Sequence, residues 1–396
     1  MIVRISIFLI ALANWLVATA QNSKSSMKQL IDENMAFAAQ QYKVLAKNVP
    51  PTVMPRSFDN AKGGLVTSDT KWWCSGFYPG TLWMIYANTK DEAIRQEAEK
   101  RLALLEPIKN YTGNHDLGFM IFCSFGTAYD ITKNPAYKDV VFTAASSLAT
   151  RYRPSIKAIQ SWDSSKNFKC PVIIDNMMNL ELLEWVTLNG GDKRFHEIAV
   201  THSNTTMKNH YRPDYSSYHV LDYDLQSGSV SRKVTHQGYA DESAWARGQV
   251  WGLYGYIVMY RFTKNQEYLT MAKNIAKFLL NHPNLPADKI PYWDFNAPDI
   301  PNAKRDASAG SILASALLEL AQYSKGDEKK KYVSTAETIL RSLSSPAYRA
   351  PLGTNGGFLL MHSVGHLPAK SEIDVPLTYA DYYFIEALAR YKKWYL

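Results

Sequence analysis

Two aspartates, Asp116 and Asp175, are the residues of this sequence best suited to moving protons. Asp175 lies between Ile173-Ile174 and Met177-Met178. Such neighbours disfavour a charged carboxylate and raise its pKa toward that of an acid able to donate near neutral pH. A second carboxylate within a few ångströms makes double ionisation harder still, which is how paired acids come to differ in role. The competing reading is that each aspartate caps a helix, a common use of Asp at a helix start. Arg247, in Trp245-Ala-Arg-Gly-Gln-Val-Trp251, opens an apolar segment where an unpaired charge is costly. It therefore either pairs with a carboxylate such as Asp116 or faces a ligand. Trp245 and Trp251, six apart, do not share a helical face cleanly, so at most one need line a site while the other joins the core.

The elements that must carry these residues form a weak internal repeat. Six segments are apolar nearly all round, the pattern of helices buried on every side: 75–86, 116–130, 175–186, 243–260, 306–320 and 380–391. Segments with one polar face alternate with them: 27–47, 91–105, 134–152, 192–210, 265–281 and 328–343. Alternating outer and inner helices predict an all-α fold, a closed (α/α)6 barrel of six helical hairpins instead of an open solenoid. One domain over 21–396 then suffices. Polar residues recur at the starts of the inner helices (Asp116, Asp175, Asp241-Glu242 and Arg305-Asp306), and a barrel gathers equivalent helix ends at one mouth. Two insertions interrupt the series. Residues 211–239, with alternating SYHVLDYD and the turn Gln226-Ser-Gly-Ser229, predict a β-hairpin. Residues 350–376, rich in Gly, His and Pro, predict a long ordered loop, and both insertions are expected to wall the mouth.

The N-terminal residues 1–20 have the form of a signal peptide: Arg4, an apolar stretch over 5–17, and Ala18-Thr19-Ala20 as a cleavage site. The stretch is shorter than the ~20 residues that span a bilayer, so a cleaved leader is expected over a stable membrane anchor. The expected address is secreted, and periplasmic if the source is Gram-negative. Cys74, Cys123 and Cys170 are an odd set without ligand spacing, so neither a disulfide framework nor a metal site is predicted. They read as small apolar residues. A net charge of +8 favours an anionic partner, yet no basic run of the nucleic-acid kind is present. The 13% aromatic content suits sugar rings, which stack on Trp and Tyr.

Five local patterns are hard to explain by helix packing: His115-Asp116-Leu-Gly-Phe119, Ile173-Ile-Asp175-Asn-Met-Met-Asn179, Ser216-Ser-Tyr-His219, Thr235-His-Gln-Gly238 and Trp245 to Trp251. With CSGFYPGTLW upstream, WDF at 293–295, RDASAG at 305–310 and SEIDVPLTYADYY near the C-terminus, they lie in one collinear order. Together they resemble the unsaturated glucuronyl hydrolases of glycoside hydrolase family 88. The resemblance covers nearly all of the chain after residue 20. It implies an (α/α)6 fold and removal of a 4,5-unsaturated uronic acid from the non-reducing end of oligosaccharides left by polysaccharide lyases, with no cofactor. Asp175 matches the family's general acid and base, and Asp116 its second essential carboxylate. His219, Gln237, Trp245, Arg247 and Trp251 match positions that bind substrate or support catalysis, and Trp162 the residue that stacks beneath the neighbouring sugar. Trp73 matches an aromatic wall. Ser363, His366 and Lys370 fall where the family places loop contacts to a sulfate or carboxylate. His366 stands in place of a second serine there, so the serine-rich version of that loop is not reproduced.

Read without the resemblance, His219 in a Tyr-rich hairpin is a simple hydrogen-bonding group. Three further activities compete: an unsaturated rhamnogalacturonyl hydrolase on pectin fragments, a polysaccharide lyase, which would want Tyr or His as its central base, and a sugar-binding toroid without turnover. The sequence displays no oligomeric interface.

Overall fold

A computed structural model describes residues 26–396 of the chain. The expected signal peptide at 1–20 lies outside the described residues.

The inner helices are Phe77–Thr89, the run Gly118–Gly126 and Thr127–Thr132, the run Ile174–Asn179 and Leu180–Leu188, Ala246–Thr263, Ala307–Leu320 and Thr378–Tyr395. Each packs on the next, and Thr378–Tyr395 packs on Phe77–Thr89 to close the ring. The outer helices are 26–48, Glu92–Leu105, Pro135–Ala149, Arg194–Asn209, Gln266–Asn281 and Gly326–Leu343. The chain thus folds as an (α/α)6 barrel. The reason is legible locally. All fourteen residues of Ala307–Leu320 are buried, whereas Gly326–Leu343 buries one stripe, Tyr332, Thr335, Ala336, Ile339, Leu340 and Leu343.

The first five inner helices each pass into an outer helix through a short connector, and three of these connectors share one pattern. Tyr86-Ala-Asn-Thr-Lys-Asp91, Tyr129-Asp-Ile-Thr-Lys-Asn134 and Tyr260-Arg-Phe-Thr-Lys-Asn265 all place the lysine in the left-handed region, at φ 58°, 58° and 57°. In each, the threonine hydroxyl donates to the carbonyl four residues back, and the final Asp or Asn caps the outer helix.

The long connections all lie at the other end, where outer helices lead into inner ones. The predicted hairpin is present as Val220–Tyr223 paired with Val230–Val234, and a third strand, Pro171–Ile173, pairs with the first. The segment 350–376, expected as a loop, contains the antiparallel hairpin Ser363–His366 and Ser371–Val375. Its alternation is hidden because the register shifts at Ser363/Val364 and because Lys370, Glu372 and Asp374 have φ of 54°, 54° and 57°. A hairpin that the sequence pattern did not suggest, Met54–Asp59 with Gly64–Ser68, packs on it. Cys74 and Cys170 are buried, Cys123 is half-buried, and all three are free thiols. Among the described residues no helix is long and apolar enough to cross a membrane, and no cluster of His, Cys, Asp and Glu has the form of a metal site.

Candidate active site

Asp116 lies two residues before an inner helix of π form, Gly118–Gly126, and Asp175 is the second residue of a 3-10 turn, Ile174–Asn179. The other four inner helices are regular α. Neither aspartate caps its helix, since no side-chain cap bond is made at either start. Asp306 does cap, its Oδ1 accepting from Ser308 N at 3.0 Å. The helix-cap reading therefore holds for Asp306 and fails for the other two, whose carboxyls stay uncommitted. Their approach depends on Gly118. A Cβ there would lie 2.6 Å from Asn179 Cα, so only glycine lets these two inner helices meet so closely. Behind the 3-10 turn, Gly255 is equally constrained, because its Cβ would lie 2.4 Å from Met177 Cβ.

The aspartates share a cleft of about 180 Å³ lined also by Trp73, Asn114, Phe119, Trp162, Gln237 and Arg247. A larger cavity of about 430 Å³ lies at the opposite end of the barrel, but Arg261 and Arg390 in its wall are paired with Glu181, Glu319 and Glu386. Unpartnered polar atoms concentrate at the mouth: Asp175 Oδ2, His219 Nε2, Arg247 Nε and the hydroxyl of Tyr379 are buried without a hydrogen bond. Buried polar atoms are ordinarily satisfied, so such a group marks a place prepared for a ligand.

Burial pushes Asp175 up to about 7, against the opposing pull of Arg247. Burial, with repulsion from Asp175 added, pushes Asp116 up to about 8. The apolar setting seen in the sequence thus raises Asp175, while the repulsion expected within the pair acts on Asp116. His219 is neutral, because burial and then the neighbouring cationic groups hold its pKa well below the usual value. Its Nδ1 accepts from the backbone N–H groups of His236 and Gln237, each at 3.1 Å, so the ring proton sits on Nε2, which lies 3.8 Å from Asp175 Oδ2. Sheet register makes this alignment. Ile173 pairs with Val220, and Ile174 N donates to His219 O at 3.0 Å, which sets His219 beside Asp175. His115, neutral because burial lowers it to about 3, places Nε2 3.3 Å from Asp116 Oδ1.

Arg247 is paired, and with Asp306 in place of Asp116. Its Nη1 donates to Asp306 Oδ2 at 3.1 Å and Val364 O at 2.5 Å, and its Nη2 to Gly365 O at 2.7 Å. Gln237 Nε2 donates to Gly365 O at 3.0 Å, so two cleft residues hold down the 363–375 hairpin. Trp245 stacks on His219, with centroids 4.5 Å apart, and lies against the Arg247 guanidinium. Trp251 does not reach the cleft. It is wholly buried between Phe119 and Tyr383, in the core beneath. Trp162 forms the half-exposed rim, next to Phe168 and His236. Ser363 is buried in the hairpin with its hydroxyl unpartnered, and Lys370 is exposed at the turn. His366 Nε2 donates to His236 O at 2.7 Å. Tyr379, which sequence reasoning did not single out, packs against Trp73 at 4.8 Å and lies 5.3 Å from the Arg247 guanidinium. Its signal was its place in the SEIDVPLTYADYY pattern, where it was not distinguished from its neighbours.

No family model matches the chain. An unsaturated glucuronyl hydrolase of Formosa agariphila is 47% identical over 85% of this chain and 84% of its own. An unsaturated chondroitin disaccharide hydrolase of Streptococcus pyogenes is 33% identical over 82% and 83%. The structure of an unsaturated glucuronyl hydrolase specific for heparin superposes with a TM-score of 0.89 at 44% identity, covering 92% of this chain and 97% of that one. A UGL variant with dGlcA-Glc-Rha-Glc gives 0.84 at 29% identity, covering 92% and 97%. With collinear motifs, a closed six-hairpin ring and a pair of buried acids at its mouth, the chain belongs to the unsaturated glucuronyl hydrolases, glycoside hydrolase family 88.

Proposed function

We propose that the protein hydrolyses oligosaccharides of glycosaminoglycan type that begin with a 4,5-unsaturated uronic acid, releasing that residue. What carries the reading is Asp175, raised to about 7 and faced by the fixed Nε2–H of neutral His219, with a second raised acid in the same cleft.

The substrate is an enol ether, which sets it apart from ordinary glycosidase chemistry with two carboxylates at the anomeric carbon. Protonated Asp175 gives its proton to C4 of the double bond, and the cation at C5 is stabilised by the ring oxygen. Water bonds to C5 and returns its proton to Asp175, leaving a hemiketal and the enzyme unchanged. The hemiketal opens to a ketone, and the hemiacetal left at C1 releases the linked sugar. His219 orients Asp175 and stabilises its anion. Asp116, neutral up to about pH 8, positions substrate hydroxyls by hydrogen bonding. The unpartnered donors on Arg247 and Tyr379 suit the uronate carboxylate, and Trp162 offers a face to the next sugar.

The test uses unsaturated disaccharides from heparin, chondroitin and hyaluronan, followed by loss of the ultraviolet absorbance of the conjugated double bond. Consumption by the wild type and none by Asp175→Asn is expected. Binding without consumption would leave a sugar-binding toroid, and preference for pectin fragments a rhamnogalacturonyl hydrolase. We further propose export with cleavage after Ala20, and a periplasmic address in a Gram-negative source. N-terminal sequencing of the secreted protein reads this directly, and an N-terminus at Met1 overturns it.

A further inference from the structure

The cleft at Asp175 has room for the uronate and the start of the next sugar. Beyond Trp162 the surface continues into a second, wider groove of about 700 Å³, whose walls include Lys166, Phe168, Lys169, Arg232 and His236. Trp162 joins the two. On the groove side it meets Phe168 edge-on at 5.5 Å and His236 at 6.1 Å. We propose that this groove is a distal subsite for the third and later sugars of anionic oligosaccharides, gripping their sulfate or carboxylate groups. The inference rests on the activity assigned above.

The groove is built in two layers. Asp222 is buried at its floor, where Oδ1 accepts from the backbone N–H of Lys169 and Cys170 at 2.9 Å each. This fixes the 164–169 loop against the hairpin. Arg232 locks it from above, with its guanidinium 4.8 Å over Phe168, Nε 3.6 Å from Asp222, and Nη2 donating to Asn167 O. The upper layer faces solvent. Lys166 has no ion-pair partner among the described residues, and the highly exposed Lys169 makes one long ion pair, 3.7 Å to Asp224. The exposed carboxylate in the lining, Asp241, accepts from Thr235 N at 2.8 Å. What the groove presents outward is therefore the ammonium of Lys166 and that of Lys169, the latter in a loose 3.7 Å contact with Asp224 that a bound anion can compete for, beside the Trp162–Phe168 aromatic edge. That combination suits a negatively charged, stacking ligand. On this assignment a disaccharide with its uronate at Asp175 ends on Trp162, and only a longer chain extends to these lysines.

The experiment compares KM for an unsaturated sulfated tetrasaccharide and disaccharide in the wild type and in Lys166→Ser/Lys169→Ser. The variant should raise KM for the tetrasaccharide roughly five- to tenfold, as expected of two exposed charge contacts, and leave kcat and KM for the disaccharide unchanged. Added salt should weaken tetrasaccharide binding in the wild type and much less in the variant. Equal KM values for the two substrates in the wild type, or a variant that shifts neither or both alike, overturn the subsite. Binding of the same tetrasaccharide to Asp175→Asn, read by tryptophan fluorescence with and without the lysine substitutions, tests the groove even if the disaccharide is not hydrolysed. That last result refutes the assigned activity alone.

Discussion

At the base of the barrel Glu319 is buried against two arginines: Arg261 donates to both its oxygens at 2.6 Å, and Arg390 lies 3.1 Å away. Arg261 reaches on to Glu181, and Arg390 to Tyr254 at 2.6 Å, so four inner helices are bound by one network. At the mouth the same helices carry Asp175, Arg247, Asp306 and Tyr379, and there several buried polar atoms have no partner. The acids show the contrast most clearly. Burial raises Glu319, yet Arg261 and Arg390 overcome it and hold the group at about 2, whereas Asp175 is left at about 7. One end of each helix satisfies its charges and stabilises the ring. The other keeps polar groups unsatisfied, at a cost in stability, so that a substrate can complete them.

The largest effect should follow from removing the proton donor. Asp175→Asn is expected to lower kcat by about 10² to 10⁴-fold with no loss of thermal stability, since the amide needs no desolvated charge. A variant that loses its fold along with its activity would mean that the mouth is structural after all. Glu319→Gln tests the base. It leaves two buried guanidinium groups short of a counter-charge and should cost about 3 kcal/mol of stability, read as a lower Tm, with kcat nearly unchanged at room temperature. A kcat loss without a Tm loss would erase the distinction between the two ends.

Changing pH should separate them again. Because Asp175 must be protonated to attack C4, kcat should fall about tenfold per pH unit above about 7. A fall centred in the ordinary carboxylate range contradicts the raised acid. Stability follows the same sign. Both mouth acids bind protons more tightly folded than unfolded, so the stability they contribute is complete below about pH 4 and is lost as pH rises through about 7 to 8. Glu319 behaves oppositely, contributing above its unfolded pKa of 4.5 and losing that contribution as pH falls through about 2. The Tm advantage of Asp175→Asn over wild type should therefore grow between pH 5 and 9.

The barrel could be read from the sequence because inner and outer helices differ in a local property, the breadth of the apolar face. The raised acid could be read for the same reason, since its desolvating neighbours, Ile173-Ile174 and Met177-Met178, are adjacent in sequence. What escaped was non-local. Asp306 pairs with Arg247 across 59 positions, and Tyr379 meets Trp73 only because the ring closes. The 363–375 hairpin escaped for a different reason, since left-handed Lys370, Glu372 and Asp374 break the alternation by which strands are recognised. Trp251 shows the limit of matching by position. It lies about one turn below Arg247 and ends in the core.

The connectors at the base were legible in principle, because Tyr-x-x-Thr-Lys-Asp/Asn recurs three times, and they offer the finest test of the comparison. In each copy the lysine backbone N–H closes on the tyrosine carbonyl, at 2.8, 2.7 and 2.9 Å, and its ammonium lies 5.4, 5.2 and 5.6 Å from that tyrosine's ring. The threonine does two jobs at once: in the third copy Thr263 donates to Met259 O at 2.7 Å and accepts from Asn265 N at 3.1 Å. Thr263→Val keeps the shape and loses both bonds, which should cost about 1 kcal/mol. The connector is remote from Asp175, so kcat, KM and the alkaline fall above about pH 7 should all stay as in the wild type while Tm drops slightly. If this small change at the base moved the pH profile, the two ends of the helix would be coupled, and the mouth's acidity could no longer be assigned to its own burial.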